Sequence, residues 1–251
     1  MIRRPLIAGN WKMHTTVDEA RQLAGAVVAA AAGMSDRDVM VAPPATGLAA
    51  VADVVGGSNI LLAAQNVHWQ EQGAYTGEIS PAMLKDIGAS MAIVGHSERR
   101  QIFKESDAMI NQRVLGALQH GITPVFCIGE TLEQRETGEA LTVLEQQMRA
   151  GLNGVSLDDP MQLVIAYEPV WAIGTGKTAT EAQAQEVHAF LRRIVGDLFE
   201  KNIAPGIRIL YGGSVKPENI DVLMQQADID GVLVGGAALQ AESFARIIQF
   251  Q

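Results

Sequence analysis

The 251-residue chain is poor in cysteine and in aromatic residues: Cys127 is its only cysteine, and aromatic residues make up 5% of it. One cysteine cannot form an intramolecular disulfide or a thiolate metal cage, so we expect a reducing compartment, the cytoplasm. Basic residues are outnumbered, with 19 Lys plus Arg against 28 Asp plus Glu and a net charge of −9. This charge repels nucleic acid and anionic membranes, and no basic patch offsets it.

Long apolar runs are also absent. The most apolar window, Ala24 to Ala32, is too short to span a bilayer, and charged residues precede it. Near the N-terminus, Gly9, Asn10 and Lys12 interrupt the apolar stretch that a signal peptide needs. The five His residues show no helical pair at metal-ligand spacing. We therefore expect no membrane partner, no nucleic-acid partner, no metal and no cofactor.

Short runs of consecutive apolar residues recur eight times along the chain. Such runs are typical of strands that are covered on both faces, as in a parallel sheet. Helix-start signals alternate with them, and no linker marks a second domain. This pattern predicts one domain, residues 1–251, with the α/β architecture of a closed (β/α)₈ barrel rather than a doubly wound sheet. The predicted strands contain Leu6–Ala8, Val39–Val41, Ile60–Leu62, Met91–Val94, Pro124–Phe126, Leu163–Ile165, Ile207–Leu210 and Gly231–Val234.

The helix-start signals are of two kinds. Capping boxes, in which a hydroxyl and a carboxylate or amide side chain satisfy the backbone N–H groups of a first turn, are predicted at Thr16–Glu19, Thr131–Gln134 and Thr178–Glu181. Pro81 and Pro217 are expected at first helical positions, where a missing N–H is tolerated.

Motifs of nucleotide-binding and hydrolytic enzymes are incomplete or misplaced. The segment 176–178 resembles the end of a P-loop, but Trp171 stands where that motif needs glycine. The segment 174–179 fits a dinucleotide pattern but lies several residues beyond its strand. The segments 95–99 and 212–216 begin like nucleophile elbows and lack the closing glycine.

Reactive side chains follow the predicted strands, at the end where a barrel carries its active site. Asn10 and Lys12 follow the first strand, His96 the fourth and Glu168 the sixth. Each has an ordinary interpretation taken singly, as a solvated charge, a loop histidine or a helix-start carboxylate. Together, an amine, an imidazole and a carboxylate at one barrel mouth fit proton transfer beside a carbonyl.

Glycine-rich turns follow the last two strands, at 212–214 and 235–236. These glycines can also be interpreted as plain tight turns, but loops at this place in a barrel commonly bind phosphate. The segment from Glu168 to Gly176 is bounded by Pro and Gly and apolar in its middle. We interpret it as a lid with two hinges, and its alternative is an ordinary loop.

Seven segments spread over the whole chain carry the resemblance to a known family: 8–13, 64–66, 94–100, 127–130, 167–176, 211–214 and 233–237. Together they resemble the triosephosphate isomerase family. The block Tyr-Glu-Pro-Val-Trp-Ala-Ile-Gly-Thr-Gly, residues 167–176, is very specific to that family. The resemblance implies a TIM barrel, a homodimer, and the interconversion of dihydroxyacetone phosphate and glyceraldehyde 3-phosphate.

The resemblance also implies catalytic roles for individual residues. Glu168 would be the base that moves the proton between two carbons, and His96, as neutral imidazole, would polarise the carbonyl. Lys12 and Asn10 would stabilise negative charge on the enediolate, and Glu98 would lie beside Lys12.

A phosphate site and an apolar clamp follow from the same resemblance. Closure of the lid would keep water from the enediol phosphate, which can otherwise eliminate phosphate. Ile173 and Leu233 would form the dry clamp over the base. The phosphate would be held by the backbone N–H groups of Gly174, Ser214, Gly235 and Gly236.

The resemblance places the dimer contact at the long third loop, residues 66–78. Thr76 would approach the partner subunit's Asn10 and the partner subunit's Lys12, and Glu78 would approach the partner subunit's Arg99. Two residues near this contact, His14 and Tyr75, depart from the family, which more often has Asn and Phe there. We expect these departures to affect the strength or the pH response of the dimer and not the chemistry.

Cys127 ends the fifth predicted strand, where it has a catalytic interpretation. We favour a supporting role as a small buried residue near Glu168.

Two other functions stay open for the whole chain. One is a different phosphate-binding barrel, such as a sugar-phosphate epimerase, and the other is a binding or structural dimer without catalysis.

Overall fold

The computed structural model describes residues 3–172 and 179–251. In these residues eight parallel strands pair in chain order, and β8 pairs back with β1 to close the barrel. The fold is the single-domain (β/α)₈ barrel that the sequence predicts. The strands are β1 (Leu6–Asn10), β2 (Asp38–Ala42), β3 (Ile60–Ala64), β4 (Met91–Val94), β5 (Thr123–Ile128), β6 (Val164–Tyr167), β7 (Arg208–Tyr211) and β8 (Gly231–Val234).

Helices lie between the strands and after the last of them. They are α1 (Val17–Ala31), α2 (Leu48–Val55), α3 (Pro81–Asp86), α4 (Ser97–Gln101), α5 (Asp107–Gln119), α6 (Leu132–Glu136), α7 (Ala140–Gly151), α8 (Glu181–Leu198), α9 (Ile220–Met224) and α10 (Ala241–Ile248). Within the described ranges, no helix has both the length and the apolar character needed to cross a bilayer.

The strands are apolar at consecutive positions because each separates two apolar cores. In β1, Leu6 and Ala8 belong to a cluster of strand side chains inside the barrel. Ile7, between them, belongs to the larger cluster that the strands share with the helices. Successive side chains of a strand point to opposite faces, so both faces must be apolar.

Two of the predicted capping boxes are confirmed. Thr16 donates its backbone N–H to Glu19 Oε2 at 2.7 Å, and α1 begins at the next residue. Thr131 caps α6 in the same way with Gln134. Pro81 is confirmed as the first residue of α3, after the N-cap residue Ser80.

Two other predicted helix starts are wrong. The box predicted at Thr178–Glu181 lies two residues too early, because Thr180 caps α8 and pairs with Gln183. Thr178 itself lies outside the described residues. Pro217 lies in a turn, and α9 begins three residues later, at Ile220.

The turn at Pro217 has a physical cause in the Asn219 side chain. Asn219 Oδ1 accepts the backbone N–H of Lys216 at 2.8 Å, and its amide donates to the carbonyl of Ser214 at 2.9 Å. Asn side chains commonly stabilise turns in this way, which competes with helix. The local proline signal is outweighed by these bonds.

Because all strands are parallel, their carboxyl ends meet at one face of the barrel. Asn10 ends β1, His96 follows β4, and Glu168 follows β6. Gly95, with φ of +73°, turns the chain sharply between β4 and His96. The closed barrel therefore brings residues distant in sequence to one mouth.

Candidate active site

The carboxyl ends of the strands surround a cavity of about 430 Å³. Side chains from the ends of β1, β4 and β6 form one part of its wall, and the turns after β7 and β8 form the other. The cavity has the size of a small-molecule site. The predicted residues that line it are Asn10, Lys12, His96, Glu168, Ser214, Leu233, Gly235 and Gly236.

Glu168 and His96 are in direct contact in this wall. His96 Nε2 lies 2.9 Å from Glu168 Oε1, and both residues are almost fully buried. The other carboxylate oxygen of Glu168, Oε2, accepts the backbone N–H of Ser97 at 2.9 Å. The buried carboxylate is thus held by two donors, as a buried charge requires. Ser97 lies in the family-like segment 94–100, but no sequence signal marks this role for it.

The tautomer of neutral His96 follows from its second nitrogen. Nδ1 accepts the backbone N–H of Glu98 at 3.2 Å, so the proton of a neutral ring is on Nε2, which faces Glu168. Burial opposes the charged ring, but the carboxylates of Glu168 and Glu98 outweigh it and raise the pKa of His96. Protonation of Glu168 would remove the main source of that rise.

Lys12 is paired with Glu98, with 2.7 Å between Lys12 Nζ and Glu98 Oε1. Burial opposes the ionised form of Glu98, but the contacts with Lys12 and His96 outweigh it, so the pKa of Glu98 is lowered. The resemblance implied this neighbour for Lys12. The pair keeps a cation at the cavity wall close to His96.

The backbone of Lys12 is in the left-handed region, with φ of +52°. Two side chains hold this unusual turn. Asn10 Oδ1 accepts the Lys12 N–H at 3.0 Å, and Gln65 Nε2 donates to the Lys12 carbonyl at 2.7 Å. Gln65 lies in the family-like segment 64–66, and a left-handed lysine has no local sequence signal.

The turns after β7 and β8 face Lys12 and Glu168 closely. A Cβ at Gly235 would lie 3.2 Å from Lys12 Cε, and one at Gly212 would lie 3.0 Å from Glu168 Cγ. Glycine therefore leaves room for the two charged side chains. Ile173 and Gly174, predicted for the clamp and the phosphate site, lie outside the described residues.

Cys127 is buried in β5 and faces the barrel interior. Burial, with a further contribution from the charge of Glu168, raises the pKa of its thiol well above the usual value. A thiolate is the nucleophilic form of cysteine, so this side chain is unsuited to covalent catalysis.

Among the described residues, no group of three His, Cys, Asp or Glu side chains could hold a metal ion.

The residues expected at a dimer contact are engaged within the chain. Glu78 Oε2 lies 2.9 Å from Arg113 Nη1, and Arg99 Nη2 lies 2.8 Å from Glu105 Oε1. Thr76 is exposed. Glu78 and Arg99 both line a second cavity, of about 330 Å³, beside the first.

The fold and this site define a (β/α)₈-barrel enzyme whose chemistry lies at the carboxyl ends of the strands. A family model described as triosephosphate isomerase matches residues 5–251. The chain belongs to the triosephosphate isomerase family.

Curated relatives that carry the name triosephosphate isomerase are similar over their whole length. The protein from Syntrophotalea carbinolica is 55% identical over 250 residues, which cover 100% of this chain and 99% of the relative. The protein from Geotalea uraniireducens is 53% identical over 249 residues, 99% of each chain. That from Roseiflexus sp. is 54% identical over 249 residues, 99% of this chain and 98% of the relative.

Proposed function

We propose that this chain is an isomerase that interconverts dihydroxyacetone phosphate and glyceraldehyde 3-phosphate, with Glu168 as the base and His96 as its acidic partner. The family and the shared name of its relatives support the reaction. The observation that carries the assignment of residues is the 2.9 Å contact between His96 Nε2 and Glu168 Oε1, in a cavity that also contains Lys12.

Glu168 takes the proton from the carbon next to the carbonyl. In the structure its carboxylate is held by Ser97 and His96, so substrate must compete with these donors when the base turns toward it. The 2% exposure of Glu168 keeps bulk water from the carboxylate. A base held in a water-poor site transfers its proton back to the substrate instead of losing it to solvent.

His96 donates the Nε2 proton to the substrate oxygen and takes a proton from the neighbouring oxygen. When Glu168 carries the substrate proton it is neutral, and the larger contribution to the raised pKa of His96 is gone, which leaves only that of Glu98. Burial and the nearby Lys12 charge then both lower the pKa, which favours the neutral ring. Neutral imidazole suits this role because it both donates and accepts.

Lys12 stabilises the charge that develops on the substrate oxygen, and Asn10 holds the Lys12 turn from the same wall. Ser214, Gly235 and Gly236 bind the phosphate through their backbone N–H groups. An acidic chain needs such local donors to attract an anionic substrate. Ile173, Gly174 and Leu233 complete the closed site in this proposal.

The decisive experiment is coupled NADH oxidation with glyceraldehyde 3-phosphate, for the wild type and for Glu168→Gln. We expect turnover in the wild type and a loss of about 10³-fold or more in kcat for the variant. Glu136→Gln, an exposed change of the same kind, is the control and keeps wild-type turnover.

The same experiment separates the two alternatives. A folded wild type that binds inorganic phosphate and shows no turnover would support a scaffold without catalysis. Epimerisation of a pentose phosphate, with no triose turnover, would support a sugar-phosphate epimerase.

We further propose that the protein acts as a cytoplasmic homodimer, each subunit being one barrel domain over residues 1–251, and that it has no nucleic-acid or membrane partner. The large apolar side chains of Met13, Ile102 and Phe103 are 93%, 69% and 64% exposed. Met13 and Phe103 line the 330 Å³ cavity, so a partner surface there would cover them. Sedimentation that finds only a fully active monomer contradicts the dimer.

A further inference from the structure

The loop after β5 packs directly against the backbone of the proposed base. The N–H of Glu168 donates to the Ile128 carbonyl at 2.7 Å, and the N–H of Val170 donates to the Glu130 carbonyl at 3.1 Å. Gly129 lies between these two bonds. A Cβ at Gly129 would come within 1.8 Å of the Glu168 carbonyl oxygen, so the two backbones touch.

The peptide groups of Gly129 are held by one side chain, that of Gln147. Gln147 Oε1 accepts the Gly129 N–H at 2.8 Å, and Gln147 Nε2 donates to the Gly129 carbonyl at 3.1 Å. A primary amide that makes both bonds acts like the neighbouring strand of a sheet. It fixes Gly129 in translation and in rotation.

Gln147 is carried by a well-anchored part of α7. Leu144 and Met148, three residues before it and one after it, are fully buried in the core. Gln147 is not among the described residues that line the 430 Å³ cavity. It lines a separate cavity of about 180 Å³ that reaches Glu168 from another side. Its hydrogen bonds toward the base are those to Gly129, which packs against the Glu168 backbone.

We propose that Gln147 is a positioning residue for the proton transfer, which holds Gly129 against the Glu168 peptide and so sets the pivot from which the carboxylate turns toward substrate. This inference rests on the proposed function. A shift of about 1 Å in a reacting group can cost a hundredfold in rate, so the pivot needs a rigid support. The proposed phosphate-binding turns lie after β7 and β8, and no hydrogen bond among the described residues joins them to Gln147 or Gly129.

The test compares Gln147→Met with Gln146→Met, the same substitution at an exposed neighbour on α7. Gln147→Met removes both hydrogen bonds and keeps a similar side-chain length. We expect kcat to fall about 10- to 100-fold. KM and the inhibition constant of inorganic phosphate should stay within about twofold. Gln146→Met should match the wild type.

Two further measurements separate positioning from general loss of structure. With substrate deuterated at the transferred hydrogen, the isotope effect on kcat/KM should increase in Gln147→Met, because proton transfer becomes slower relative to other steps. Gln147→Glu keeps the acceptor for the Gly129 N–H and loses the donor to the carbonyl. It should have an intermediate kcat, and it serves as the test variant if Gln147→Met does not fold.

Wild-type kcat in folded Gln147→Met overturns the inference, and so does a loss of kcat that is accompanied by an equal loss of phosphate affinity. In both cases the wild type turns over and Glu168→Gln does not, so the proposed function stands. If the wild type itself has no turnover, the proposed function fails and this inference fails with it.

Discussion

The imidazole of His188 packs edge-on against the ring of Tyr167, with 5.8 Å between the ring centroids. His188 lies on α8, is fully buried, and has Nδ1 3.2 Å from the carbonyl oxygen of Asp228. This geometry suits a neutral ring that donates from Nδ1. Burial lowers the pKa of His188 from 6.5 to about 3.

The first prediction is that this ring destabilises the fold in acid. Between pH 6.5 and about 3 the unfolded chain protonates His188 and the folded chain does not, so the free energy of unfolding falls as the pH is lowered. Within that window His188 lowers the free energy of unfolding by up to about 1.4 kcal/mol for each pH unit of acidification. Above pH 6.5 this effect is absent. The free energy of unfolding is measured by urea unfolding at several pH values and one protein concentration.

His188→Gln is the comparison for this prediction, because it keeps a donor and does not titrate. The difference between the two unfolding free energies should change with pH by the titration of one group. A difference that stays constant from pH 7 to pH 4 would show that His188 is not the group responsible.

The second prediction concerns Gly95, the residue before His96. Gly95 has φ of +73°, and a Cβ there would lie 3.0 Å from Ile110 Cγ2 and 3.2 Å from the Cys127 carbonyl oxygen. Gly95→Ala therefore combines backbone strain with a clash in the core. We expect a loss of about 2–3 kcal/mol in unfolding free energy and a fall in kcat, since His96 is displaced.

Gly88→Ala is the matched control. Gly88 has φ of +78°, and a Cβ there meets nothing within 4 Å. We expect it to lose about 1 kcal/mol, the cost of the left-handed backbone alone, with unchanged kcat. Equal effects of the two variants on kcat would contradict a role of Gly95 in placing His96.

The third prediction is that Cys127→Ser keeps most of the activity and loses stability. The serine hydroxyl would be buried in the barrel interior, where Cys127 Sγ has a weak contact at 3.7 Å with the Val125 carbonyl. A buried hydroxyl without good partners costs about 1–3 kcal/mol. Thermal unfolding and the coupled assay test it, with Cys127→Ala as the comparison that adds no hydroxyl. A folded Cys127→Ser protein that has lost activity would reverse the assignment.

The strand pattern could be predicted because it depends on burial on both faces, which runs of consecutive apolar residues indicate directly. The predicted runs Met91–Val94 and Gly231–Val234 have the bounds that β4 and β8 have in the structure. The run at Leu6–Ala8 was too short, because β1 continues to the polar residue Asn10. Burial of Asn10 at the barrel mouth is a tertiary effect that an apolar pattern does not contain.

Helix starts were less predictable, since several residues near each start can form a cap. Thr178 and Thr180 each stand three residues before a Glu or Gln, and the structure uses Thr180. At Pro217 the bonds of Asn219 decide the outcome. Local signals of similar strength leave the choice to hydrogen bonds that form only in the folded chain.

The sequence by itself determined which segments are strands, that the barrel closes, and which reactive side chains follow the strands. Only the tertiary structure decided how these side chains meet. Glu168 accepts from Ser97 across 71 residues, and Lys12 binds Glu98 across 86 residues. Gln147 binds Gly129 from a helix whose sequence has no functional motif. These contacts depend on barrel closure and strand register, which bring distant residues within hydrogen-bonding distance and leave no periodic pattern in the chain.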